Sequence, residues 1–328
     1  MLSRKTLYKH IAWEAVLELA RRFNRRKIVV LMYHEVLSDD EPIDAWTVVK
    51  ETDFALQMDY LRSHFSVVSL DEAYKKMSHK SIQNNKNLAV VTFDDGYAGN
   101  GKVVLPIIES IGIPITIFVS TGAVLNQRIN WYDRIITAFQ SDKEIIVDLK
   151  VYGLDIYIIC PQFPGERKWT EIERLLSALK SLTPNKREES VEYILEKFGS
   201  LQAMSLASLT VSEIKQMSKS PFVTIGAHSH CHSILTQLET KRVRESIKQS
   251  KTLLEEWTGL PVNHFAYPNG NYNTDIIEVL RETGFATAMS TSTQLWDASV
   301  SPYAIPRIGI GRFDSFERFK ARISGIII

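Results

Sequence analysis

Two aspartates stand side by side in Thr92-Phe93-Asp94-Asp95-Gly96, directly after the apolar run Leu88 to Val91. Adjacent carboxylates raise one another's pKa, so the pair is costly unless a cation or a proton resolves it. Neighbouring residues point different ways, so one Asp can bind a metal while the other stays free as a base. Gly226-Ala227-His228-Ser229-His230-Cys231-His232 puts three histidines within five residues, again after an apolar run. His228 and His232 are four apart and can share one side of a helical turn. His228 with His230 suits an extended segment instead, and Cys231 offers a soft ligand. Two histidines and one carboxylate with open positions make a catalytic rather than a structural metal site.

Two further segments carry weaker signals. In Phe265-Ala266-Tyr267-Pro268-Asn269-Gly270, Pro and Gly fix a loop that can aim a backbone N–H at an oxyanion. In Met32-Tyr33-His34-Glu35, His34 is a candidate general acid or base. Each has an ordinary reading as well. Asp-Gly is common turn chemistry, and a lone strand-end histidine is more often structural.

All four segments end an expected strand. The rhythm is short apolar strand, turn, helix. Strands are expected at Ile28 to Tyr33, Val67 to Leu70, Leu88 to Phe93, Ile115 to Val119, Phe222 to Gly226, Val262 to Tyr267, Ala286 to Ser290 and Ala304 to Ile310. Helices are expected at 52–64 with Thr52 as N-cap, at 71–77, 103–110, 239–257, 275–282 and 316–323. Repeated βα units favour a parallel sheet or barrel with its site at the strand C-termini. The rhythm breaks at 126–210, where a helix (131–140), a hairpin turning at Gly153 with Cys160 at its end, and charged helices at 171–182 and 186–198 read as an inserted subdomain.

Composition bounds the rest. The 328 residues carry 39 Lys+Arg against 38 Asp+Glu, with 45% hydrophobic and 23% charged residues, the balance of a globular protein with a sizeable core. Near-zero net charge disfavours a nucleic-acid binder. Cys160 and Cys231 form no CxxC pair and no disulfide framework, which fits a reducing compartment. Residues 1–27 are the exception in charge, with eight Lys/Arg, two Glu and a local net of +6. Leu7, Ile11, Ala15 and Leu19 recur there at helical spacing, with Arg21, Arg22, Arg25 and Arg26 beyond. That segment reads as a helix packed on the domain or as a peripheral contact with an anionic membrane. It lacks a signal-peptide pattern, so a cytoplasmic, membrane-peripheral location is expected.

Taken together, the ordered motifs resemble the polysaccharide deacetylase (NodB-like) family, carbohydrate esterase family 4. The resemblance covers 28–125 and 211–312. It implies an α/β fold, a deformed (β/α)7-type barrel over 28–125 and 211–328, with 126–210 as an inserted α+β subdomain and 1–27 as a basic amphipathic helix. It implies metal-dependent removal of acetyl groups, N-acetyl above all, from a polysaccharide or glycan precursor. The family's TFDDG motif matches Thr92 to Gly96, which implies Asp94 as general base and Asp95 as metal ligand. Its H-[ST]-x-x-H motif matches His228 to His232, which implies those two histidines as the other ligands of one divalent ion, Zn2+ first, with Co2+, Ni2+ or Mn2+ as substitutes. The groove motif R-x-P-x-G matches Ala266 to Gly270 and makes Tyr267, Pro268, Asn269 and Gly270 the oxyanion and substrate loop. Its Arg is replaced by Ala266, and Arg307 is the candidate replacement. A branch with permuted motif order carries an N-terminal Tyr-His, matched by Tyr33-His34, which implies His34 as general acid. Tyr97, Trp131 and Tyr267 are candidates for stacking on sugar rings. A carbohydrate-binding barrel with weak catalysis and another metal-dependent amidohydrolase are the alternative readings.

Overall fold

The computed structural model describes residues 4–79, 81–82, 86–140, 145–159, 165–197 and 206–327. Cys160 lies outside them. The chain divides into two compact units, one of residues 1–40, 46–127 and 208–328, the other of residues 41–45 and 128–207.

The first unit is built on parallel strands. In chain order these are β1 (Ile28–Tyr33), β2 (Glu35–Leu37), β3 (Val48–Lys50), β4 (Phe65–Val67), β5 (Asn87–Phe93) and β6 (Ile115–Val119). After β7 (Ile145–Asp148) and β8 (Ile156–Ile159) of the second unit come β9 (Val223–Ala227), β10 (His264–Ala266), β11 (Thr287–Met289) and β12 (Ile308–Gly309). The main sheet runs β11-β10-β9-β6-β5-β1-β12, with β4 beside the start of β5, and every pairing is parallel. Ile305 bridges Met289 of β11, and Ile308 and Gly309 then pair with Leu31 and Met32 of β1. One segment therefore borders both ends of the strand order and curls the sheet into a deformed barrel.

Alternation along the strands sets two layers. Ile28, Val30, Leu88, Val90, Phe118, Ala266 and Met289 share one cluster inside the barrel. Val29, Leu31, Tyr33, Ala89, Val91, Phe93, Ile117, Ile225, Phe265 and Tyr267 share the other, beneath the helices. Strands covered on both faces read as unbroken apolar runs, which is why 28–33 and 88–93 were legible. The same period carries past the strand ends. His34 follows the inward phase of Ile28 and Val30, Asp94 that of Leu88 and Val90, and His228 the phase of Gly226.

Several local expectations are corrected. The helix expected from Thr52 is Glu51–His64 with Lys50 at its N-cap; the Thr52 N–H and hydroxyl are instead both bonded to the Asp39 carboxylate. The strand expected at 67–70 lies at Phe65–Val67, and Ser69 caps the next helix. The helix expected from Val103 begins as a π-turn over Asn100–Val104 and becomes α at Leu105–Ile111. Pro106 has no N–H to offer the carbonyl of Lys102, which loosens the turn there. The short β2–β3 pair and the helices Thr121–Asn126 and Val211–Met217 were not anticipated.

In the second unit, β7 and β8 form an antiparallel hairpin, with helices Trp131–Ala138, Gly165–Ser181 and Pro184–Glu196. Arg128 and Arg134 both pair with Glu188 and Glu192. Asp44 accepts from the Trp169 indole at 3.2 Å, which draws 41–45 into this unit rather than the barrel. Trp131 lies under the Arg187 guanidinium.

Glu35 is fully buried, and its carboxylate accepts the N–H groups of Val36 at 2.8 Å and Gly99 at 3.3 Å. A Cβ at Gly99 would stand 2.0 Å from Glu35 Oε1 and 2.2 Å from the Val36 carbonyl. Gly99→Ala is therefore expected to cost about 1–3 kcal/mol of stability as overpacking, measured by urea denaturation.

Candidate active site

The strand register assembles the site. Tyr33 pairs with Phe93, so His34 and Asp94 leave the sheet side by side, and the Asp94 N–H donates to the Tyr33 carbonyl at 2.9 Å. Val119 pairs with Ala227, and the His228 N–H donates to the Val119 carbonyl at 3.0 Å. Asp95 and Gly96 then take left-handed conformations, φ 73° and 76°, which turn the chain away from the strand direction. Asp accepts that region more readily than most residues. Of the five non-glycine residues with positive φ among the described residues, four lie in the motif loops: Asp95, Ser229, His232 and Asn269. Strain of this kind persists only where the surroundings enforce it.

The two aspartates have separate partners. Arg307 grips Asp94 with both terminal nitrogens, Nη1 to Oδ1 at 2.6 Å and Nη2 to Oδ2 at 2.7 Å. Arg307 is fully buried, its Nε donates to the Ser290 carbonyl, and its guanidinium packs over Phe118. Burial alone would raise the Asp94 pKa; Arg307, then His228, reverse this and hold it below the usual carboxylate range. Ala266 shares the barrel interior with Phe118, so a guanidinium reaches the aspartate from the β11–β12 segment rather than from the groove motif.

Asp95 faces the histidines. Its Oδ1 lies 2.9 Å from His232 Nε2 and 3.4 Å from His228 Nε2. Burial would raise its pKa, but His232 first and then His228 outweigh that and keep it ionised. His228 Nδ1 lies 2.8 Å from the Ala266 carbonyl. A carbonyl only accepts, so Nδ1 carries the proton and the Nε2 lone pair is left facing Asp95. Burial lowers the His228 pKa to about 4, so the ring is neutral near pH 7. Ligand atoms of Asp95, His228 and His232 all lie within 4.8 Å of one another. A carboxylate, two imidazoles and a carbonyl that fixes the tautomer of one of them fit a divalent ion.

His230 goes elsewhere. Its Nδ1 meets the Thr121 hydroxyl at 2.9 Å, and its carbonyl accepts the Gly122 N–H at 2.8 Å. A Cβ at Gly122 would stand 2.4 Å from that carbonyl, so the close approach needs glycine. The Cys231 Sγ lies against the Ser246 hydroxyl, which also accepts the His230 N–H. The Ser229 hydroxyl accepts the His232 N–H at 3.1 Å. Thr121 and Ser246, which pin this loop, had no signal in the sequence beyond being polar.

His34 is half-buried, its ring edge-on to Trp46 with centroids 5.7 Å apart. Burial lowers its pKa, while the negative fields of Asp95 and Asp94 oppose that. Asn100 donates to the His34 carbonyl at 2.9 Å. On the opposite loop, Asn269 is exposed at φ 58° and Gly270 sits at φ 76° against Thr291. The expectation that Tyr267 meets substrate is corrected. It follows the outward phase of Phe265, is fully buried, stacks on Tyr272 and donates its hydroxyl to the Tyr303 carbonyl. Pro268 and Tyr97 are buried too, so neither offers a face to a sugar.

Two outcomes follow from this geometry. Arg307→Met leaves a buried carboxylate without its counter-charge and is expected to cost about 3–5 kcal/mol, read by urea denaturation. In zinc titrations followed by calorimetry, His228→Ala or His232→Ala is expected to weaken affinity by more than about 100-fold, and His230→Ala by less than about tenfold. Equal losses at all three positions would contradict the assignment.

Comparison with known proteins places this arrangement. The sequence profile described as Polysaccharide deacetylase matches residues 81–288. Comparison with curated protein sequences gives no match. Among solved structures, the chain is similar to the Streptococcus pyogenes deacetylase PplD in complex with acetate, with 19% identity, TM-score 0.61, and 90% of this chain and 98% of that one covered. It is similar to IcaB from Ammonifex degensii, with 20% identity, TM-score 0.60 and coverages of 92% and 98%. It is also similar to a de-N-acetylase from Aggregatibacter actinomycetemcomitans, with 14% identity, TM-score 0.57 and coverages of 90% and 99%. The matched profile spans more than half of the chain and includes both the Asp94-Asp95 and the His228–His232 motifs, so this chain belongs to the polysaccharide deacetylase family.

Proposed function

We propose that the chain is a metal-dependent deacetylase that removes N-acetyl groups from a polysaccharide or glycan precursor, with zinc as the resident ion. The observation that carries this reading is the division of labour between the adjacent carboxylates: Asp94 held by Arg307, Asp95 facing His228 and His232. Asp95, His228 and His232 would hold the ion. When bound, a divalent ion supplies Lewis-acid polarisation of the acetyl carbonyl and acidifies water.

The chain's own groups handle the protons. Asp94 accepts a proton from water as its oxygen attacks the acetyl carbon. Arg307 keeps that carboxylate ionised and fixes its plane, so the base is oriented before substrate arrives. The oxyanion that forms meets the backbone N–H of Asn269, in the loop that follows β10. His34 then gives a proton to the nitrogen as the C–N bond breaks, releasing acetate and the free amine. A histidine whose neutral form is favoured by burial is a stronger acid once protonated, which suits transfer to an amine. Trp46 fixes the ring for that transfer.

The test is acetate release from N-acetylglucosamine oligomers by apo, zinc-loaded and cobalt-loaded protein. Release is expected only with metal, and Asp94→Asn or His34→Ala is expected to lower kcat about 100–10,000-fold without loss of zinc binding. Tight zinc binding with no release from any acetylated glycan would sink the catalytic reading and leave a carbohydrate-binding barrel.

A further inference from the structure

Over its described side chains, residues 12–23, the helix Arg4–Phe23 packs on the barrel by one face. Trp13 donates to Glu317, Glu14 pairs with the buried Lys320, Leu17 is buried, and Arg21 donates to the Tyr60 hydroxyl. The opposite face carries Ala12, Val16, Leu19 and Phe23, spaced four, three and four apart, and it points to solvent. Val16 is 47% exposed, Leu19 55% and Phe23 82%. Ala15 and Leu19, whose spacing suggested a packed stripe, thus belong to the uncovered side. Asn24, just beyond the helix, donates to the Ser324 carbonyl, so the exposed Ile326 and Ile327 leave the fold from beside the same end.

Charge selects what covers this ridge. Arg22, Arg25 and Arg26 are exposed around Phe23, and among the described residues neither Arg25 nor Arg26 forms an ion pair. The two acids of the helix are engaged within the fold, Glu14 with Lys320 and Glu18 with Arg21 and Arg22. A second copy docked on the ridge with its helix parallel would therefore set Arg22, Arg25 and Arg26 against their own counterparts. An anionic bilayer offers apolar depth for Phe23 and Leu19 and negative headgroups for the arginines.

We propose that this ridge is a docking surface for an anionic lipid bilayer, with the catalytic end held clear of it. The helix is tied to the barrel at the strand N-termini: Asn87, first residue of β5, donates to the Arg21 carbonyl at 2.9 Å. Asp94 follows the other end of β5, roughly 20 Å away at about 3.3 Å per residue. Bound protein keeps its catalytic mouth open to a glycan beyond the headgroups.

The experiment is co-sedimentation of the full chain with vesicles of phosphatidylcholine alone or mixed with phosphatidylserine, beside light scattering without lipid. Binding is expected only with phosphatidylserine and is expected to weaken as salt rises. Arg25→Ala/Arg26→Ala is expected to reduce it about 25-fold, at about fivefold per arginine. Leu19→Ser/Phe23→Ser is expected to reduce it more than about tenfold, with melting temperature, zinc affinity and acetate release from soluble oligomers unchanged. Failure of wild-type protein to sediment with anionic vesicles overturns the proposal, as does a dimer that the Leu19/Phe23 variant abolishes. A chain that binds vesicles yet releases no acetate fails only the catalytic reading.

Discussion

Two buried carboxylates joined by one peptide bond cannot both stay ionised unless each has its own stabilising partners. The site is organised around that constraint. Asp94 follows the inward phase of β5 and meets a guanidinium inside the barrel. Asp95 is turned away by a left-handed residue and meets two imidazoles. The turn is held from outside, since Leu209 donates to the Gly96 carbonyl and Ser120 to that of Asp95. Neighbouring carboxylates reach separate partners because Asp95 is held in a backbone conformation that most side chains avoid.

The exchange at Ala266 follows from the same geometry. Arg307 lies on the segment that closes the strand order between β11 and β1, and it ends beside Asp94 within the barrel. A guanidinium taken from a different strand serves the aspartate as long as it arrives in the interior phase. Of the three N–H groups not spent on Asp94, the Ser290 carbonyl and the Thr92 hydroxyl take two. The His228 tautomer depends on a carbonyl of the same groove segment, that of Ala266. That contact uses the backbone of Ala266 and not its side chain.

The barrel was legible because its parallel strands are covered on both faces and read as apolar runs with chemistry at their ends. Asp94, His34 and His228 continue the inward phase of those runs, so their convergence was implicit in the period of two. What stayed hidden was local or tertiary. β2 and β3 have three residues each, too few for a period. Thr121 and Ser246 are ordinary helix polars until the fold brings them to His230. Tyr267 looked like a site residue by its neighbours in sequence, but its phase sends it under the helices. On the N-terminal helix both faces carry apolar residues, and polar anchors such as Glu14 with Lys320 decided which one packed.

The most direct test of this division between the carboxylates is anomalous diffraction at the zinc edge from zinc-soaked crystals. The account predicts one strong peak at about 2.0–2.2 Å from an Asp95 oxygen and from Nε2 of His228 and His232, with Asp94 still clasped by Arg307. A peak bridging Asp94 and Asp95, or one ligated by His230 or Cys231, would contradict it.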